Sequence, residues 1–316
     1  MAFSARIKSA LRLVAGLALF GGLLWYLIPS WSALAARADL AASALAWAWL
    51  GAAGAHVAVA ARWKLLTEST GGNRLSLWAY LHSLMVTRFL GQFVPSLAMD
   101  LVGRGVALRA VGSERGIGHA TTLVVLERIF DLVVPAVLVG WAIVARRPGM
   151  EGYELLLLIA AVVLFVALAV PGLVPLTRAA LALYGRFRHE RAGGLPVGIT
   201  HAISFQVALL SVLRFAAVLV QFAGIGAGIG LLLPWPDWVA ATPVAQLTAL
   251  FGVTPGGLGV VEVGWWAGLA WVGVDRAAIG LYLIAQRTAL IAFLGTLALA
   301  TWPLARRPAA GASEPA

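Results

Sequence analysis

Five ionisable residues lie within stretches that are otherwise apolar enough to be buried in a membrane: Arg88, Glu127, Arg128, Glu262 and Arg287. A charge at the bilayer centre costs at least ~2.5–3.5 kcal/mol on insertion scales, so such residues usually face a bundle interior or a water-filled cavity. Arginine holds two phosphate oxygens at once through its planar fork. These residues therefore indicate an anion site inside the membrane.

The most specific motif is segment 255–262, which reads Pro-Gly-Gly-Leu-Gly-Val-Val-Glu. Glycines let the backbone approach a partner closely, and a helix that begins after them presents free N–H groups and a positive dipole end, which suits an anion. A tight hairpin turn packed against a neighbour is the alternative. The candidate binding residues here are Pro255, Gly256, Gly257, Gly259 and Glu262.

Two further charge clusters have helical spacing. Arg104 follows Asp100 by four residues, which allows an ion pair along one helix. Glu127 and Asp131 are also four apart and share one face, with Arg128 offset from it. Three charges in one turn of a membrane helix must be solvated by each other or by a cavity. A structural cluster and proton coupling through a carboxylate both remain open.

The composition predicts an all-α polytopic membrane protein, with one integral domain over residues 1–316 and a disordered tail over 304–316. Apolar residues make up 61% of the chain and charged residues 11%, against roughly 45–50% and about 25% in soluble domains. A span needs about 20 apolar residues. We predict six spans, near 11–29, 43–61, 118–145, 153–175, 199–222 and 278–302.

Two further apolar regions, 77–97 and 238–272, are broken by turn residues, the first at Pro95-Ser96 and the second at the glycine-rich motif. Non-helical backbone at membrane depth is tolerated only where protein or a wet cavity covers it. We predict that both regions are re-entrant helical hairpins; ordinary kinked spans are the alternative.

The charge distribution predicts that both termini face the cytoplasm. With six spans and two hairpins, fifteen Lys and Arg residues, Arg62 and Arg104 among them, lie on the cytoplasmic side and four lie outside. Cytoplasmic loops carry the excess of positive charge. The net charge of +10 therefore reflects topology, and attraction to anionic lipids follows from it. The cations are scattered over short loops, so we expect no nucleic-acid partner.

A duplication is predicted, with inverted repeats over 10–146 and 153–302, because each half would hold three spans and one hairpin. Pro95 lies 33 residues before Arg128, and Pro255 lies 32 before Arg287. An acidic residue follows each proline, Asp100 and Glu262 respectively. Inverted repeats with broken helices are a common design of secondary transporters.

At these residues the chain resembles the lysylphosphatidylglycerol synthase transmembrane-region family of flippase-like membrane proteins. Segment 93–104 looks like the family's Leu-Pro, Gly-Gly-Asp, Arg segment, although Ala98-Met99 stands where the family has two glycines. Segment 127–131 is similar to its Glu-Arg helix, and segment 255–262 to its Pro-Gly-Gly-Leu-Gly-x-x-Glu signature. The resemblance covers roughly residues 10 to 302.

The resemblance implies movement of a phospholipid or polyisoprenoid-linked lipid between leaflets. Members that transfer lysine carry a further soluble domain, which this sequence does not contain, so the resemblance does not imply synthase activity. We therefore predict a flippase for anionic lipids in the bacterial cytoplasmic membrane. Its substrate-binding residues would be Arg88, Asp100, Arg104, Glu127, Arg128, Arg287 and the motif residues named above.

Two other classes stay open: a polytopic transferase acting on a lipid-linked substrate, with Glu127, Asp131 or Glu262 as base, and a membrane partner of a lipid-modifying enzyme. We expect no catalytic residues, because no nucleotide loop or Ser/His/Asp arrangement is present. We also expect no cofactor and no metal, since there are no cysteines and the histidines lack ligand spacing. The oligomeric state is not predicted.

Overall fold

The computed structural model describes residues 14, 18–23, 25–26, 42–72, 74–113, 117–188, 198–252 and 254–305. Within these ranges every regular element is a helix, as the composition predicts. The helices used below are α1 (Ala42–Ser69), α2 (Leu77–Leu90), α3 (Arg104–Ala110), α4 (Ile117–Ala145), α5 (Glu154–Arg188), α6 (His201–Gly228), α7 (Trp235–Ala249), α8 (Val260–Trp271) and α9 (Arg276–Ala305).

Four described helices are long and apolar enough to cross a membrane: α1, α5, α6 and α9. Helix α4 is 29 residues long, but Glu127, Arg128 and Asp131 lie in its middle. The predicted first span, 11–29, lies mostly outside the described residues, as does the tail from residue 306 onward. The chain is thus an all-helical, multi-pass membrane protein, and the predicted count of six spans is met in part.

The first broken segment is a helical hairpin. Its first arm, α2, is 14 residues long, and the chain returns through a one-turn helix (Ser96–Ala98), a π-helical turn (Met99–Gly103) and α3. A Cβ added at Gly91 would lie 3.6 Å from Met99, and one at Gly103 would lie 3.4 Å from Thr87. Residue numbers rise along one arm as they fall along the arm that faces it, so the two arms are antiparallel.

The second broken segment has the same form. Its arms, α7 and α8, contain 15 and 12 residues. A Cβ added at Gly264 would lie 2.9 Å from Ala245, and one at Gly268 would lie 3.1 Å from Ala241, so the arms are close and antiparallel. An arm of 15 residues rises about 22 Å, less than the ~30 Å hydrocarbon core. Each arm is thus shorter than a full span, and the re-entrant placement of the two hairpins remains a prediction.

Helices α1 and α6 pack closely against each other. A Cβ at Gly51 would lie 2.7 Å from the carbonyl oxygen of Ala217, and one at Gly224 would lie 2.7 Å from the amide nitrogen of Ala48. These small residues let the two backbones nearly touch. The pairing again runs in opposite directions, so α1 and α6 are antiparallel.

Corresponding helices of the two halves recur at a nearly constant distance along the chain. Helix α6 begins 159 residues after α1, α7 begins 158 after α2, and α9 begins 159 after α4. The pair α1 and α6 is also antiparallel, which is the relation that an inverted duplication requires. The duplication with halves 10–146 and 153–302 remains a prediction, which these offsets support.

Candidate functional site

The tips of the two hairpins meet beside a cavity of about 190 Å³. One water needs about 10–15 Å³ of such volume, so the cavity has room for several waters or a small polar group. Its wall is rich in polar and charged side chains, namely Arg88, Asp100, Arg128, Asp131, Arg214, His56, Thr87, Gln92, Ser96, Gln221, Gln246 and Gln286. An interior of this kind is expected where a membrane protein handles a polar ligand.

A chain of ion pairs begins at the cavity wall with Arg214 on α6. Arg214 Nη1 lies 3.3 Å from Asp131 Oδ1, and the same oxygen accepts a hydrogen bond of 2.9 Å from Arg62 Nη2. Arg62 also donates to Ser211 at 3.0 Å and lies 3.7 Å from Glu127. Since Arg62 is 1% exposed, its charge depends on these partners.

The chain of ion pairs continues to the first hairpin. Glu127 Oε2 accepts a bond of 2.7 Å from Arg104 Nη1, and Arg104 Nη2 lies 3.1 Å from Asp100. Asp100 finally pairs with Arg128, which returns the chain to the cavity wall. We refer to these seven residues as the ion-pair chain; in order they are Arg214, Asp131, Arg62, Glu127, Arg104, Asp100 and Arg128.

The local backbone explains how Asp100 reaches two arginines. Asp100 lies in the π-helical turn Met99–Gly103, where an extra residue per turn shifts the side chains of the following helix. Thr121 Oγ1 donates a hydrogen bond of 2.6 Å to the carbonyl oxygen of Leu101, which ties this turn to α4. The guanidinium of Arg104 lies 5.8 Å from the ring centroid of Trp63, which covers it from the other side.

Arg88 differs from the arginines of the ion-pair chain. It is half-buried at the C-terminal end of α2 and lines the cavity, but it makes no ion pair with any described residue. The two carboxylates that line the cavity with it, Asp100 and Asp131, are bonded to other arginines. Among the described residues of the cavity and the ion-pair chain, five arginines face three carboxylates, so two positive charges are not neutralised.

The second hairpin uses its charges differently. Arg287 Nε donates to Glu262 Oε1 at 2.9 Å, and Arg287 Nη1 donates to the carbonyl oxygen of Gly256 at 2.9 Å and to Gln92 Oε1 at 3.2 Å. Glu262 is fully buried and also accepts a bond of 2.6 Å from the N–H of Gly259. Arg287 therefore fastens the tip of the second hairpin to that of the first.

Backbone contacts join the two tips as well. Pro95 and Pro255 form an isolated antiparallel bridge. The N–H of Gly256 donates to the carbonyl oxygen of Gly91 at 2.7 Å, and the N–H of Leu97 donates to that of Gly252 at 3.2 Å. The alternative raised above for the motif, a tight turn packed against a neighbour, matches this arrangement.

The glycine-rich motif does not present the free N–H groups that its sequence predicts. The amide of Gly257 donates to Thr254, that of Leu258 to Pro255 and that of Val260 to Gly257. With Gly256 and Gly259 bonded as described above, these amides of the turn are occupied within the protein. This correction has a physical reason: the positive φ angles of Gly256, Gly257 and Gly259 fold the segment onto itself.

The predicted candidates thus fall into two groups. Arg88, Asp100, Arg104, Glu127 and Arg128 come together at or directly behind the cavity. The remaining candidates, Pro255, Gly256, Gly257, Gly259, Glu262 and Arg287, form the second tip and its fastening, and none of them lines the cavity.

Arg62 requires a second correction, since the charge count assigned it to a cytoplasmic loop. The predicted span ended at residue 61, whereas α1 continues to Ser69 and buries Arg62. Arg104 is likewise 2% exposed. Thirteen cations against four then remain for the topology argument.

The cavity glutamines were not predicted from the sequence, although their presence inside apolar helices was an available signal; they are Gln92, Gln221, Gln246 and Gln286.

Comparison with known proteins relates the chain to a family. The family model described as lysylphosphatidylglycerol synthase TM region matches residues 13–300. No curated protein and no solved structure matches the chain.

Proposed function

The chain belongs to the lysylphosphatidylglycerol synthase transmembrane-region family, and from this premise we propose that it moves an anionic lipid between the leaflets of a membrane. The lipid would be a phospholipid or a polyisoprenoid-phosphate-linked lipid. Membership of the family relates the protein to lipid biology, while the flippase activity is our proposal.

The observation that carries the proposal is the uncompensated positive charge of the cavity. Arg88, Arg128 and Arg214 all line it, and Arg88 has no carboxylate partner among the described residues. A charge held in a low-dielectric interior is costly unless it is paired. A phosphate that enters the cavity supplies this partner, and the arginines replace the water that it loses.

The ion-pair chain keeps the site in place between transport cycles. Glu127, Asp100 and Asp131 each form ion pairs with two arginines, so they orient the guanidinium groups and leave the outer ends, Arg128 and Arg214, at the cavity wall. Each carboxylate is needed for charge balance, and removing one would raise the positive charge of an already basic interior.

The two hairpins would provide alternating access. In this proposal each hairpin enters and leaves the membrane on the same side. The joined tips of the two hairpins close one end of the cavity. Rocking of one half against the other would separate the tips and admit the headgroup, while the lipid tails remain in the bilayer. We place the protein in the bacterial cytoplasmic membrane with both termini in the cytoplasm, and a lipid-modifying enzyme is the partner class we would test.

The deciding experiment is reconstitution of the pure protein in liposomes with fluorescent phosphatidylglycerol, polyprenyl phosphate and phosphatidylcholine as probes. We expect accelerated leaflet exchange of at least one anionic probe and no acceleration for phosphatidylcholine. Arg88→Ala should slow the anionic exchange roughly ten- to a hundredfold, since one charged hydrogen-bonding partner is lost.

Arg109→Ala is the matched control, because Arg109 is exposed at the end of α3. It should exchange lipid at the wild-type rate. Absence of exchange for every anionic probe, or an Arg88→Ala variant as fast as the control, would contradict the proposal.

A further inference from the structure

His56 on α1 lines the cavity, and the proposed transport gives it no role so far. The residue is buried, so its ring is shielded from the surface of the protein. Its Nδ1 lies 2.5 Å from the carbonyl oxygen of Ala52, one turn earlier on the same helix. Because a carbonyl oxygen only accepts, Nδ1 is the ring nitrogen that carries the hydrogen.

The second ring nitrogen of His56, Nε2, can take up a proton. It has no hydrogen bond to a described residue. A neutral imidazole with its hydrogen on Nδ1 keeps a lone pair on Nε2. Histidine is also the side chain that ordinarily changes its charge between about pH 5 and pH 8. His56 therefore brings a proton-binding group to the wall of the cavity.

The carboxylates of the site are less suited to this task. Asp100, Glu127 and Asp131 each form ion pairs with two arginines. Protonation of any of them would leave two guanidinium groups beside a neutral partner, which is costly in a low-dielectric interior. His56 forms no ion pair with a described residue, so its protonation breaks none.

Charged residues of several elements line the cavity together with His56. They are Arg88 on α2, Asp100 in the π-helical turn, Arg128 and Asp131 on α4, and Arg214 on α6. Of the described residues of α7, α8 and α9, only uncharged ones line the cavity. Since two positive charges of the site are not neutralised, a proton on His56 would add a third and be repelled.

A bound phosphate changes this balance, because its negative charge offsets the repulsion between the arginines and a protonated His56. Binding of the phosphate thus favours binding of the proton. By thermodynamic reciprocity, the proton favours the phosphate to the same extent. The charge arrangement therefore couples the two ligands within one cavity.

We propose that His56 binds one proton together with the lipid phosphate, so that the protein carries a lipid anion and a proton in the same direction. Nε2 takes the proton from water on the side to which the cavity is open and returns it to water on the other side. A singly charged phospholipid then crosses without net charge, and a pH gradient drives it. This inference rests on the proposed lipid transport and names its energy source.

The test follows fluorescent phosphatidylglycerol between the leaflets of phosphatidylcholine liposomes, with albumin extraction of the outer leaflet as the readout. Valinomycin and equal potassium concentrations hold the membrane potential at zero. When the outside is one pH unit more acidic, the wild-type protein should enrich the probe in the inner leaflet severalfold, up to a limit of about tenfold. At equal pH, a potassium diffusion potential should leave the distribution unchanged. Both distributions are independent of the orientation of the protein.

His56→Gln removes the titrating group and keeps an N–H donor. Its steady-state distribution should ignore the pH gradient and follow the membrane potential, with the probe leaving the negative side, because the lipid anion then crosses alone. His82→Gln is the matched control. His82 is a buried histidine of α2 that bonds to Thr301 at 3.1 Å and does not line the cavity, so this variant should behave like the wild-type protein.

Two results would overturn the inference while leaving lipid transport intact: a wild-type distribution that ignores the pH gradient, and a His56→Gln variant that still follows it. Absence of any exchange of the probe by the wild-type protein would contradict the transport itself. The wild-type comparison of pH gradient with membrane potential tests the inference even where a variant fails to fold.

Discussion

Pro95 and Pro255 lie opposite each other in an antiparallel bridge, although 160 residues separate them along the chain. Each proline stands at the tip of a helical hairpin, where the chain has left one arm and begins the other. The bridge and the bonds around it bring the two predicted halves into contact at the edge of the charged cavity. A motion of one half relative to the other would break or shift these contacts first.

Arg62 should be essential for stability. Arg62→Met removes the shortest bond of Asp131 but leaves it paired with Arg214, so we expect the free energy of unfolding to fall by about 1.5–3 kcal/mol, the usual worth of a hydrogen bond to a charged group. Thermal unfolding of the purified variants in detergent measures this. Lys64→Met is the control on the same helix: Lys64 pairs with Glu68 at a partly exposed position, where a loss of about 0–1 kcal/mol is expected. Equal melting temperatures for the two variants would contradict the prediction.

Gly256 should tolerate alanine less well than a glycine elsewhere with a similar backbone. Gly256 has φ +59°, and a Cβ there would lie 3.0 Å from both Arg287 Nη1 and Gln92 Oε1. Gly273 has φ +86° and open space around it, so Gly273→Ala carries only the backbone cost. We expect Gly256→Ala to be less stable than Gly273→Ala by about 1–3 kcal/mol, the usual effect of overpacking, in thermal melts. A similar loss in both variants would show that the tip contact adds nothing.

A disulfide between the tips should stop transport if the tips must separate. Ser96 Oγ donates a bond of 3.0 Å to the carbonyl oxygen of Gly252, and a Cβ at Gly252 would touch that hydroxyl. Since the chain contains no cysteine, Ser96→Cys/Gly252→Cys introduces a single pair. We expect its lipid exchange to fall to background after oxidation and to recover with reductant. The two single variants are the controls. Unchanged exchange in the oxidised, fully crosslinked protein would exclude tip separation as a step of transport.

Arg287 should act on stability through Glu262. Arg287→Ala leaves a fully buried carboxylate without its arginine, and we expect a loss of about 3–5 kcal/mol in the free energy of unfolding. Adding Glu262→Gln to this variant removes the unpaired charge and should raise the melting temperature again.

Arg88→Ala is the comparison for Arg287, because Arg88 has no ion pair with a described residue and its removal leaves no carboxylate unpaired. Its melting temperature should stay near that of the wild-type protein. A double variant no more stable than Arg287→Ala would refute the pairing as the cause.

Much of the organisation follows from the amino-acid order alone. Apolar runs of span length predict the membrane location and most helices, since a chain in lipid must satisfy its backbone within helices. Segment 255–259 marks the second break, because three of its glycines adopt positive φ angles that no helix continues. Pro95 marks the first break less distinctly, since Pro135 and Pro243 lie inside helices. The Glu-Arg and Pro-Gly-Gly motifs also carry the family resemblance, which is confirmed.

Only the tertiary structure decided which charges meet. Sequence spacing relates residues on one helix, such as Asp100 and Arg104, but it does not define how separate helices are rotated against each other. The bonds from Arg62 to Asp131 and from Arg287 to Gln92 join elements 69 and 195 residues apart. Packing also occupied the amides of the glycine motif and left Arg88 at the cavity without a carboxylate partner among the described residues, because close helix contacts determine which polar atoms find a partner inside the protein.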